Sequence, residues 1–121
     1  MKHLLQNVAL AALLAMPFPH SAIAAGLPAG LTAEAVASAK TPADHQAIAD
    51  AYTKEAENLR ARANEHRAMD KQYSAPGYLS LKLGAGMHCQ KLVKAYEEAA
   101  ADADALAKAH RDMAEAAAKQ K

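Results

Sequence analysis

Two stretches free of interior helix breakers, residues 42–73 and 87–119, constrain this 121-residue chain more than any other feature. Pro76, Gly77, Gly84 and Gly86 lie between them. Thr41-Pro42-Ala43-Asp44 is a helix start. Thr can cap, Pro suits the first helical position because its missing N–H would have no partner there, and Asp puts a carboxylate at the positive end of the macrodipole. Alanine, the best helix former and a poor strand former, fills 34 positions. The expected fold is therefore all-α: a helix over 42–73, a loop over 74–86 and a helix over 87–119. At about 1.5 Å per residue each helix is about 45–50 Å long, so the compact arrangement is an antiparallel hairpin. Within the loop, Tyr78 to Leu83 alternates like a strand. With no second strand to pair, it is expected to be an extended segment packed on the helices.

The chain's beginning reads as a secretory signal. Lys2 is a basic start, Val8 to Met16 is apolar, and Ala22-Ile23-Ala24 has the small-x-small pattern of a cleavage site. The apolar run is short of the roughly 20 residues a membrane span needs. Residues 1–24 are thus expected to be removed, placing the protein in the periplasm or outside the cell. Residues 25–41 form a Gly/Pro-rich leader in which Leu31 to Lys40 can make a short helix, and residues 42–121 form the hairpin domain. Removing Lys2 leaves 13 basic and 13 acidic side chains. A zero net charge gives no overall field to steer phosphate or anionic lipid, which argues against nucleic-acid and membrane partners.

A shift of 44 positions aligns the two helices. It lays Gln46 on Gln90, Tyr52 on Tyr96, and His66-Arg67-x-Met69 on His110-Arg111-x-Met113, with nine identities in the twenty-five positions from His45 to Met69. Alanine matches are cheap in such a composition, but Gln, Tyr, His, Arg and Met matching in one register point to an internal duplication. Heptad spacing puts His45, Tyr52, Leu59, His66 and Tyr73 on one stripe of the first helix. Cys89, Tyr96, Ala103, His110 and Ala117 form the equivalent stripe of the second. Alanine seams bury little area, so the hairpin is expected to dimerise into a four-helix bundle.

Folding a repeat antiparallel sets His45 opposite His110 and His66 opposite Cys89. Two clusters follow: His45, His110 and Met113 at one end, and His66, Met69 and Cys89 at the other, with Met87 and His88 beside them. Each His-x-x-Met pair shares a helical face at i and i+3. Thiolate and thioether are soft ligands, so this donor set selects Cu(I) before Mg or Ca. A helix beginning at Met87 would also place Cys89 in its first turn, where the macrodipole favours thiolate. The expected function is an exported copper-binding bundle that buffers, stores or transfers the metal without catalysis, since no hydrolytic constellation is present. Two alternatives stand beside it. One is a b-type haem bundle using His and Met ligands. The other is a purely structural or protein-interaction hairpin, with Met as core filler and Cys89 buried or in an interchain disulfide. The architecture is similar to small periplasmic helical hairpins that sense or buffer metals. Their repeated Leu-Thr-x-x-Gln element is echoed only in part by Leu31-Thr32-Ala33-Glu34-Ala35, and no family is assigned.

Overall fold

The computed structural model describes residues 27–77 and 79–120; the expected signal segment lies outside them. Every element among the described residues is helical: α1 (Ala33–Ser38), α2 (Pro42–Tyr73), α3 (Leu79–Lys82) and α4 (Ala85–Lys119). The two long helices pack against each other and form the body of the protein.

Local chemistry sets the start of α2. Thr41 Oγ1 accepts from the Asp44 backbone N–H at 3.1 Å, and Asp44 Oδ2 accepts from the backbone N–H groups of Thr41 at 2.9 Å and Lys40 at 3.1 Å. This reciprocal capping box satisfies donors the helix leaves orphaned. The Lys40 and Thr41 N–H groups hold the Asp44 carboxyl below the usual carboxylate range. A smaller version of the device starts α1, where Thr32 Oγ1 accepts from Ala35 N–H at 3.1 Å.

The connection differs from the expected extended segment. Leu79–Lys82 makes a turn of helix, which needs no partner strand. Leu79 and Leu83 are not packed away: they are 70% and 73% exposed. Gly84, with φ +70°, turns the chain into α4, which starts at Ala85, two residues before the expected Met87. Cys89 therefore lies beyond the first turn of α4, and the macrodipole argument for its thiolate falls away.

Gly86 is buried where α4 meets the end of α2. A Cβ there would stand 2.6 Å from Asp70 Oδ1 and 2.8 Å from Ser74 Oγ. The same carboxylate accepts hydrogen bonds from Gln90 Nε2 at 3.2 and 3.4 Å and from Ser74 Oγ at 3.2 Å. In Gly86→Ala, displacing it loses about 1 kcal/mol per bond, and the gain in helix propensity returns about 1 kcal/mol. Gly86→Ala is thus expected to be near neutral or mildly destabilising in urea titrations. In an Asp70→Ala/Ser74→Ala background the same change should stabilise by about 1 kcal/mol, because both close contacts are gone and only the propensity gain remains.

The core is a narrow seam. Ile48, Ala49, Ala56, Leu59 and Ala63 of α2 meet Cys89, Ala100, Ala103, Ala107 and Ala114 of α4, with Tyr52 and Tyr96 packed beside the central cluster of Ala56, Leu59, Ala100 and Ala103. Cross-helix polar pairs line the seam: Arg60 to Asp104, Arg67 to Glu97, and Arg111 Nη1 donating to Thr53 Oγ1 at 3.3 Å. Asp104 holds the Arg60 guanidinium above its usual range. Exposed pairs of this kind add little to stability; what they set is the register. The leader adds to the seam, with Pro28 buried where it meets a cleft lined by Tyr52, Leu59 and Leu106.

Candidate metal centre

The capped start of α2 and the last third of α4 bring His45 and His110 together. Their Nδ1 atoms are 3.2 Å apart and their ring centroids 5.4 Å apart at 35°. His110 is 7% exposed, and Tyr52 stacks on it at 6.1 Å and 21°. Burial first, and the facing His45 second, lower the His110 pKa from the ordinary imidazole value. One of the two Nδ1 atoms must donate and the other accept, so the contact holds a single proton. Met113, about one turn beyond His110, is 47% exposed.

At the opposite end, His66 stacks on Tyr96 at 5.5 Å and 17°. The 44-position shift that carries Tyr52 to Tyr96 carries His66 to His110, so the two stacks occupy equivalent places. His66 Nδ1 is buried without a hydrogen-bond partner. Cys89 is a buried free thiol, and it does not hydrogen-bond to that nitrogen. Met69 is half-buried, while Met87 and His88 are exposed on α4. Among the described residues no three side chains of His, Cys, Asp or Glu gather as a metal-binding group. The structure therefore assembles the His45–His110 pair directly, and at the other end an open nitrogen and a buried thiol on facing helices.

The two tyrosine stacks were not legible from spacing alone. Tyr52 and Tyr96 lie on the same heptad stripes as the histidines, but which histidine covers which tyrosine depends on the stagger of α2 against α4. The repeated Tyr and His positions were the available signal.

No protein-family model, curated protein or solved structure matches the chain.

Proposed function

We propose that the chain is an exported metal-binding helical hairpin that buffers, stores or hands on copper and carries no catalysis of its own. The observation that supports it most is the 3.2 Å separation of His45 Nδ1 and His110 Nδ1. Two imidazole nitrogens bonded at about 2.0–2.1 Å to one tetrahedral ion stand about 3.3 Å apart. An ion can thus replace the shared proton with little movement of either helix, and Met113 supplies a third donor. His66, Met69 and Cys89, with His88 or Met87 completing the shell, form the second centre. There the duplicated helix carries sulfur in place of the His45 nitrogen, which makes this the stronger site for a soft monovalent ion.

In this reading residues 1–24 direct export to the periplasm, an internal duplication produces the two ends, and two hairpins associate as a homodimer. The Ala-on-Ala seam between α2 and α4 supports the metal over haem, since Ala49, Ala56, Ala63 and Ala107 are fully buried and a porphyrin between the helices would have to part them.

Anaerobic Cu(I) titration against a competing chelator tests the proposal. Two sites of unequal affinity are expected. Cys89→Ser should abolish the tighter one with helicity unchanged, and His110→Ala should remove only the weaker. Bound metal should raise Tm, because a ligand that prefers the folded state stabilises it by mass action. Absence of binding, or binding indifferent to both Cys89 and His66, overturns the proposal in favour of a structural hairpin, and a Soret band in the purified protein would overturn it in favour of haem. Sedimentation velocity at micromolar concentration tests the homodimer.

A further inference from the structure

The near-zero total charge hides an uneven distribution. From Lys71 to Tyr96 the sequence has Lys71, Lys82, Lys91 and Lys94 and no Asp or Glu. These 26 residues are the last turn of α2, the connection and the first third of α4, so the lysines gather at one end of the hairpin. All four are exposed. Among the described residues Lys71, Lys82 and Lys91 make no ion pair, and Lys94 reaches Glu98 only at 3.8 Å. The nearest acid on α2, Asp70, is engaged by Gln90 and Ser74.

Large apolar side chains stand out from the same end. Leu79, Leu83 and Met87 are 70%, 73% and 60% exposed, and they follow one another at intervals of four residues. Met87 Cε lies 3.7 Å from where a Cβ on Gly84 would stand, so this methionine covers the turn itself. Met87, Lys91 and Lys94 fall at i, i+4 and i+7 on α4, opposite the side that buries Gly86 and Cys89. The result is a projecting apolar tip ringed by exposed cations, three of them without an ion pair among the described residues.

We propose that this tip is a peripheral docking surface for an anionic phospholipid membrane, into whose headgroup boundary Leu79, Leu83 and Met87 insert while Lys71, Lys82, Lys91 and Lys94 meet the phosphates. A bilayer accepts a convex apolar tip without a complementary pocket, and its negative surface attracts the lysines. A second copy docking tip to tip would set lysines against lysines, which disfavours self-association through this end. The contact is superficial: among the described residues no helix is long and apolar enough to cross a membrane. It does not require metal: the exposed leucines and lysines are not ligands, and Met87 alone is also a donor in the proposed second centre.

Cosedimentation of the full chain with vesicles tests the proposal. One set contains phosphatidylcholine alone and the other phosphatidylcholine with phosphatidylglycerol. Stronger binding is expected to the anionic vesicles, and the excess should weaken with added salt. A Leu79→Ser/Leu83→Ser variant and a Lys82→Glu/Lys91→Glu variant should each bind at least about tenfold more weakly, with unchanged circular dichroism. Both variants keep the N-terminal apolar run, so the difference from the parent chain isolates the tip. Binding that is absent, insensitive to phosphatidylglycerol or unchanged in both variants overturns the proposal. So does a change in sedimentation-velocity mass in the serine variant, which would make the tip an interface between copies.

Discussion

Leu59→Ala is expected to abolish the cooperative unfolding transition of the hairpin at room temperature. Leu59 is 3% exposed at the centre of the seam, and its neighbours there are Ala56, Ala100 and Ala103. Alanines have no side-chain reach with which to fill the space a leucine leaves. Truncating a buried leucine costs about 2–5 kcal/mol, with the larger values where the surroundings cannot collapse. A core in a domain of this size seldom supplies more than about 3–5 kcal/mol in total, so the loss is comparable with the whole stability. Urea titration followed by circular dichroism reads the effect; a variant with a normal sigmoidal transition would show that the seam is not the main source of stability. Leu106→Ala provides the contrast. Leu106 is 44% exposed, so its truncation should cost little.

Acidification of the metal-free protein is expected to lower Tm through the pair at the other end of the seam. The folded-state pKa of His110 is lowered by burial and by His45. The unfolded chain therefore binds the proton more readily than the folded one, and stability rises with pH wherever that difference persists. His110 stabilises the fold fully above the ordinary imidazole value of about 6.5, and that stability is lost as pH falls through the lower folded value. A second proton would also set two imidazolium rings against each other across an Nδ1 separation of 3.2 Å. The measurement is Tm against pH from 8 to 5 for the parent chain and for His110→Gln, which cannot titrate. A parent curve as flat as that of the variant would mean that the pair opens without cost. Asp44 adds dependence of the same sign at lower pH, since its depressed carboxyl pKa stabilises the cap only while the group is ionised.

The helices were legible because their determinants are local. Thr41, Pro42 and Asp44 define the start of α2 within four residues, and the absence of Gly or Pro up to Tyr73 lets it continue. The connection was less legible. Alternation in Leu79 to Leu83 carries a strand period, but a strand is a property of two segments, and the second is missing among the described residues. The start of α4 moved to Ala85 because Gly84 adopts a left-handed conformation that no residue pattern required. The basic tip could have been found by counting charge in windows; a whole-chain total averages it away.

By itself the sequence determined that the described chain would be two long helices with His45, His66, His110, Cys89 and the two tyrosines Tyr52 and Tyr96 on their facing stripes, because helix propensity, capping and heptad period act over a few residues. The tertiary structure decided which of those side chains meet. The stagger of α2 on α4 places His45 on His110, stacks Tyr52 and Tyr96 on the two histidines, and leaves His66 Nδ1 buried without a hydrogen bond. A sliding of one helix by a single turn would preserve both stripes and change every one of these contacts. That choice rests on the packing of Leu59 among alanines and on cross-helix pairs such as Arg60 with Asp104, between residues 44 positions apart.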